Sequence, residues 1–392
     1  MNILLAWEMG GNWGHVARDL PVLRRLQAEG HDVRYAVRDA TVAPSLCASI
    51  GIRCVAAPHG AAVRRMPRGL TGYGAILFAD GFGDAAILDR RLAGWMDLFA
   101  EFAADVVVSD YAPAALLAAR MYGIPSVAVG SGFEIPPDAA LLPSFSADGA
   151  PDDAARRFSK GLVSFNVNRV LRDQGAPSLQ RLAQVFQGRR NVLTTVAELD
   201  HCGARPDATY AGPVQDLPGG VTASWRTTQP RVLVYLRGVR PVVDRVLQAL
   251  AAIGAEVIAV LPDIGRLPHV HADLQVFRQP VSFDGLLETA DLVIASGSGA
   301  VTTALLAGVP ALVLPATAEQ SMLARRVEET GTGMAVGAEA VEGLSHVIHR
   351  LLHDADFRSA ARVFAAKYAG LRTESAVRTV IAEIRNAVSS HS

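Results

Sequence analysis

The sequence predicts two doubly wound α/β domains in succession, and three observations lead there. Short apolar runs bounded by glycine and proline alternate with longer segments of helical periodicity. That alternation stops at a stretch rich in proline and glycine, Ala211–Gly220, and then restarts. The chain has 392 residues, half of them apolar, against roughly 100–200 residues for one domain.

The first half reads as strand Ile3–Trp7, helix from about His15 to Glu29, strand Asp32–Val37, helix Pro44–Ile50 and strand Arg53–Ala56. This βαβαβ order implies a parallel sheet. It continues through strand Asp105–Ser109, helix Ala112–Tyr122 and strand Ser126–Val129, and Gly30 and Gly123 stand where helices end. Residues 60–83 hold six glycines without clear periodicity and read as a long inserted loop suited to recognition. After the linker the strands are Arg231–Leu236, Glu256–Val260, Asp273–Phe277, Leu292–Ala295 and Ala311–Leu314. The expected boundaries are residues 1–210, a linker over 211–230, residues 231–370, and a final amphipathic helix within 371–392, its apolar positions spaced over Glu374–Val388.

Composition narrows the partner. The net charge is −1, from 37 basic and 38 acidic residues in no like-charge block, so no footprint for nucleic acid or an anionic membrane stands out. A small molecule fits better. Cys47, Cys54 and Cys202 lack zinc-ligand spacing and suit a reducing cytoplasm. The chain starts directly with a strand, and no run approaches the roughly 20 apolar residues of a membrane helix, so a cytoplasmic protein without a transmembrane segment is expected.

Gly10-Gly11-Asn12-Trp13-Gly14-His15 follows the first strand and opens the first helix. Parallel sheets bind ligands at such turns, where glycines admit a close approach and free helix amides favour negative charge. It is not a dinucleotide fingerprint, because the spacing differs and no acidic residue ends the second strand. An imidazole here is suited to take a proton from an attacking hydroxyl. Asp110 ends a strand at the same edge and is placed to orient that imidazole, as in the hydrolase triad; the position equally suits an N-cap. Asp19, one turn beyond His15, is the competing partner, although a first-turn aspartate facing the helix dipole accounts for it more simply.

In the second half, strand Leu292–Ala295 runs into Ser296-Gly297-Ser298-Gly299 and a helix over Ala300–Ala307. A Gly/Ser loop opening a helix offers amides and hydroxyls to a diphosphate, and it also serves as an ordinary tight turn. No Gly-Lys-Ser/Thr follows, so it is not a Walker loop. Asp354-Ala355-Asp356 lies between helices and reads as a solvated turn, so no metal site is expected.

These motifs resemble the GT-B glycosyltransferases of the UDP-glycosyltransferase and macrolide glycosyltransferase group, with a fainter similarity to the peptidoglycan N-acetylglucosaminyltransferase. The resemblance rests on Gly14-His15-Val16, Glu29-Gly30-His31-Asp32-Val33, Ser109-Asp110 with Gly123-Ile124-Pro125, and Tyr210-Ala211-Gly212-Pro213. It is most specific in Ala307-Gly308-Val309-Pro310, Leu314-Pro315, Glu319-Gln320, Ala324-Arg325-Arg326-Val327 and Gly331-Thr332-Gly333.

The resemblance implies two Rossmann-like domains facing each other across a crevice, with the C-terminal helix crossing back to the first. It implies an inverting hexosyltransferase with His15 and Asp110 as its dyad, a UDP- or dTDP-sugar as donor and a small-molecule or lipid-like acceptor. No further cofactor, no nucleic acid and a monomer or dimer are expected. Glu319 and Gln320 would grip the donor sugar, Gln279–Val281 would meet the base, and Gly238 would lie beside the phosphates, with Ser296, Gly297, Ser298, Gly299 and Thr302 in the donor loop. Asn12, Trp13 and Phe133 would face the acceptor.

One departure stands out. The group places a diphosphate-binding histidine where this chain has Ala295 or Ser296, and Arg237 replaces a small residue in the loop facing the same site. A guanidinium there could supply the missing charge. Two rival readings follow: a sugar-nucleotide epimerase, which needs more carboxylates around the sugar, and a non-catalytic GT-B-like binding protein, which the missing histidine favours.

Overall fold

The computed structural model describes residues 1–11, 13–38, 47–48, 50–58, 72–145, 153–214, 220–237, 240–265, 273–337 and 343–390. Asn12, Gly238 and most of the helix expected over 44–50 lie outside them, as does the side chain of Trp13. The chain divides into two compact units, Met1–Asp216 with Arg372–Ser392, and Leu217–Leu371.

In the first unit the strands are β1 (Asn2–Trp7), β2 (Asp32–Val37), β3 (Arg53–Ala56), β4 (Val106–Asp110), β5 (Ser126–Gly130), β6 (Arg190–Leu193) and β7 (Thr209–Tyr210). They pair in parallel in the order β3-β2-β1-β4-β5-β6-β7. The helices are α1 (Trp13–Ala28), α2 (Tyr73–Leu77), α3 (Ala85–Phe102), α4 (Pro113–Tyr122) and α5 (Asp153–Asp173). β4 and β5 are buried at every position, as befits parallel strands covered on both faces.

Of the inserted loop expected over 60–83, residues 60–71 lie outside the described residues, and the rest is less irregular than the sequence implies. α2 runs into a π-helical turn over Phe78–Phe82, which kinks at Gly81, where φ is +104°. The run is too short to show a period, and its contacts decide it. Tyr73, Ala75 and Leu77 are buried, and a Cβ on Gly74 would lie 2.7 Å from the Lys160 amide of α5.

The second unit holds β8 (Arg231–Tyr235), β9 (Glu256–Val260), β10 (Leu274–Phe277), β11 (Leu292–Ala295), β12 (Ala311–Val313) and β13 (Gly333–Ala335), all parallel in the order β10-β9-β8-β11-β12-β13. Its helices are α6 (Arg240–Ile253), α7 (Ser298–Leu306), α8 (Ala318–Glu329), α9 (Leu344–His353) and α10 (Ala355–Lys367). Val232, Val234, Leu247, Leu250, Ile348 and Leu351 centre its core. Asp354 caps α10, its carboxylate accepting from the Asp356 amide at 3.1 Å, which gives that Asp-x-Asp a structural role.

The last helix, α11 (Thr373–Ser389), belongs to the first unit. Its Ala376, Val377, Val380, Ile381, Ile384 and Ala387 are buried in the first sheet's core. Arg385 pairs with Glu29 at 2.7 Å along the seam with α1. The helical spacing of those apolar residues in the sequence is the cause of that attachment.

Candidate active site

In the first sheet the strand order reverses where β1 meets β4, the place that open parallel sheets leave for ligands. Trp7 and Asp110 are register partners at the carboxyl ends of those strands. The chain leaves β1 through Gly10, whose φ of +77° suits glycine, and a Cβ there would lie 2.2 Å from His15 Nε2. Gly10 thus makes room for the imidazole. The His15 ring stacks on Trp7 with centroids 5.2 Å apart and planes 22° apart.

His15 Nδ1 lies 2.8 Å from Asp110 Oδ2. Asp110 is fully buried and its other oxygen accepts from Arg18 Nη2. Burial pushes the Asp110 carboxyl up, but the Arg18 guanidinium and His15 outweigh it and hold the group down at about 2. His15 Nδ1 also stands 3.1 Å from Arg18 Nη2, a weaker claim than that of an ionised acceptor. We therefore assign the Nδ1 proton to the Asp110 bond, which leaves Nε2 with its lone pair.

Directly after Asp110 the backbone turns through Tyr111 at φ +49°, a strained conformation for a tyrosine, and its carbonyl accepts from the Met9 amide at 3.1 Å. This ties the ends of β1 and β4 together. The N-cap of α4 is Ala112, and Glu8 Oε2 accepts from the Ala114 amide at 2.8 Å, so Asp110 is not the cap that its position allowed. Glu8 is itself buried and braced by Trp95 Nε1 at 2.5 Å and Arg91 Nε at 3.1 Å.

Asp19 differs from its sequence reading. It is only 2% exposed, accepts from Tyr35 Oη at 2.5 Å and hydrogen-bonds the Asp110 carboxyl. Burial, then the charge on Asp110, pushes its carboxyl well above the usual range, and we assign the proton between the two carboxyls to Asp19, which donates to Asp110. It is a neutral member of the network. The helix-dipole account fails because the fold turns this side chain inward.

The sequence reading passed over Arg18, Glu8 and Glu134. Arg18 stands three residues after His15 on α1, a spacing that places both on one helix face and was the available signal. Its Nη1 is 3.6 Å from Glu134 Oε1, and Glu134 Oε2 accepts from the Ser131 amide at 2.5 Å and from the Ser131 hydroxyl. Phe133, 6% exposed, packs in an aromatic cluster with Tyr73, Tyr111, Phe145 and His201.

In the second sheet the order reverses between β8 and β11, with Tyr235 and Ala295 paired at their ends. All its strands are parallel, so the residues that follow their carboxyl ends share one edge. Arg237 follows β8, Gln279 and Val281 follow β10, Ser296 and Gly297 follow β11, and Glu319 and Gln320 follow β12. Burial raises the Tyr235 phenol and Arg237 pulls it back, so the guanidinium acts on that same edge.

α7 starts at Ser298, two residues before the expected position, so Ser298 and Gly299 belong to its first turn. Gly297 is its N-cap, without a side-chain cap bond. Thr303 Oγ1 donates to the Gly299 carbonyl at 2.9 Å, and Thr302 is buried. Gln320 Oε1 accepts from the Ala316 amide at 2.8 Å, and Thr317 caps α8. Val281 is buried beside a parallel bridge to Val221, and Gln279 is exposed.

Two units, each a parallel doubly wound sheet, with ligand-type loops at the carboxyl edges, constitute the GT-B architecture. Residues 244–383 match the family described as erythromycin biosynthesis protein CIII-like, C-terminal domain. The chain is 27% identical over 328 residues to a PGL/p-HBAD biosynthesis glycosyltransferase of Mycobacterium tuberculosis, covering 76% of each chain. It is 27% identical to 4'-demethylrebeccamycin synthase of Lentzea aerocolonigenes, covering 94% of this chain and 95% of that one. Among solved structures, spinosyn rhamnosyltransferase SpnG complexed with thymidine diphosphate superposes with a TM-score of 0.67 at 20% identity, covering 97% of this chain and 100% of that one. By fold and sequence alike the chain is similar to macrolide-type GT-B enzymes, and it is a glycosyltransferase.

Proposed function

We propose that the chain transfers a sugar from a UDP- or dTDP-linked donor to the hydroxyl of a small or lipid-like acceptor, with inversion at the anomeric carbon and with His15 as general base. The observation that carries this reading is the Nδ1 contact of His15 with a buried, ionised Asp110 at 2.8 Å. That contact leaves Nε2 as the basic nitrogen. The solved relative SpnG is complexed with thymidine diphosphate, which supports a dTDP-type donor.

In this mechanism Nε2 takes the proton of the acceptor hydroxyl while its oxygen bonds to the anomeric carbon from the face opposite the diphosphate. The bond from that carbon to the diphosphate oxygen breaks, and the leaving diphosphate keeps the electron pair. Asp110 stabilises the imidazolium that forms. The uncapped amides of α7, with Ser296, Ser298 and Arg237, meet the growing negative charge, and Glu319 and Gln320 hold the sugar. The nucleotide sugar is substrate, and the reading requires no resident cofactor. It places the reaction in the cytoplasm, in keeping with three free cysteines.

The test is transfer from α-linked UDP- and dTDP-sugars to an acceptor panel, with the product anomer read by NMR. β-Linked product is expected, and His15→Ala should lower turnover roughly 100-fold or more with nucleotide binding unchanged. Retained configuration, or near-normal turnover of His15→Ala, would overturn the mechanism. A chain that neither transfers sugar nor binds any nucleoside diphosphate would favour the non-catalytic reading.

A further inference from the structure

Asp110 carries more than its pairing with His15 accounts for. Its carboxyl is fully buried, a second buried carboxyl on Asp19 hydrogen-bonds it, and Arg18 stands on its remaining oxygen. Two adjacent buried carboxyls favour sharing a proton over ionising, unless a cation is fixed beside them. Arg18 is that cation. Its side chain is 11% exposed, and its other end is held by Glu134, which the Ser131 amide and hydroxyl hold in turn.

We propose that Arg18, braced by Glu134, is a positioning residue for the His15–Asp110 pair: it holds one carboxylate oxygen so that the other faces His15 Nδ1 and the imidazole presents a bare Nε2. This rests on the reading of His15 as the base and adds a residue to it. Geometry carries the argument. Two donors, Arg18 Nη2 and His15 Nδ1, converge on different oxygens of one carboxylate, and the Trp7 ring and Gly10 confine the imidazole on its other sides. The guanidinium fork suits this better than an ammonium, because it reaches Asp110 and Glu134 from separate nitrogens.

A pH signature follows. The charged and titratable groups that act on Asp110 are His15, Arg18 and Asp19 from α1, Tyr35 from β2 and Glu134 from the loop after β5. Without Arg18 the burial of Asp110 is opposed mainly by His15, so its carboxyl rises from about 2. Activity should then fail at a higher pH as the solution is acidified.

The experiment compares wild type with Arg18→Met, Arg18→Lys and Glu134→Gln. Arg18→Met should lower kcat on the order of 10- to 100-fold, as misplacement of a catalytic group does, with the donor KM changed less than about threefold. Its acid limb should move to higher pH. Arg18→Lys should restore the limb but only part of kcat, and Glu134→Gln should lower kcat by a smaller factor than Arg18→Met. Independently of turnover, ¹⁵N NMR of the labelled imidazole should show the Nδ1–H tautomer in wild type and its loss or mixing in Arg18→Met. Wild-type kcat, pH profile and tautomer in Arg18→Met would overturn the proposal. If Arg18→Met fails to fold, Arg18→Lys decides: kcat reduced by threefold or more at unchanged donor KM supports positioning, and wild-type kcat overturns it. If the protein transfers no sugar, the function reading fails while the tautomer measurement still judges the role of Arg18.

Discussion

Replacing Asp110 with asparagine tests the dyad most directly, because the neighbours dictate how the amide must sit. Arg18 brings only donors to Oδ1, so the asparagine oxygen must turn to Arg18 and its NH₂ must face His15 Nδ1. An NH₂ cannot accept from Nδ1–H. The imidazole has to shift its proton to Nε2, and the nitrogen that should take the acceptor's proton then already holds one. The volume is unchanged, so the fold should survive, although Arg18 loses its charged partner. Loss of a positioned base costs about 10²–10⁴-fold in rate, or about 3–5 kcal/mol of transition-state stabilisation. The measurement is kcat at saturating donor and acceptor, with calorimetric binding of the nucleoside diphosphate and thermal unfolding as controls. Turnover within about threefold of wild type, in a variant that folds and binds nucleotide, would refute the assignment of Asp110 as the partner of the base.

Other predictions follow from the same geometry. Asp19→Asn should keep turnover within about threefold, since an amide reproduces a protonated carboxyl that accepts from Tyr35 and donates to Asp110. Because the folded Asp19 carboxyl lies above its unfolded value of about 3.9, its contribution to stability is full below that pH and is lost as pH rises through the folded value. Thermal unfolding of Asp19→Asn should therefore gain on wild type as pH rises; a constant difference, or greater damage to turnover than in Asp110→Asn, would refute the neutral assignment. Gly10→Ala should displace the imidazole, because the added Cβ would sit 2.2 Å from Nε2 at a φ of +77°, and kcat should fall at least about tenfold. Unchanged kinetics would show that the ring can yield without cost. Arg237→Ala should weaken donor diphosphate binding and also lower turnover at saturating donor, with Arg237→Lys recovering part of both; wild-type values for both constants would remove Arg237 from the donor site.

Most of the fold and the centre of the candidate site were legible in the sequence, because both are written in local patterns. Strand and helix periods, Gly30 and Gly123 past their helices, and the restart after Gly220 are short-range features. Strand–helix alternation forces parallel pairing, which gathers the strand carboxyl ends, and so His15 and Asp110 could be matched across 95 residues. The C-terminal helix likewise announced an apolar face, and the first sheet's core receives it.

Only the tertiary structure decided the charge states around that pair. Nothing local distinguishes Asp19 as a buried, proton-bearing carboxyl from a dipole-facing aspartate on the surface; the difference is the presence of Tyr35 and Asp110 on β2 and β4, the two strands that flank β1. The same holds for Glu8, which caps a helix more than a hundred residues away, and for Glu134, which reaches Arg18 from the loop after β5. Burial of a charge is settled by what the rest of the chain folds over it, and the ionisation of each carboxyl depends on all its neighbours at once. Sequence therefore determined that His15 and Asp110 meet at the sheet edge, and the packed structure determined which buried groups join them and where the proton sits.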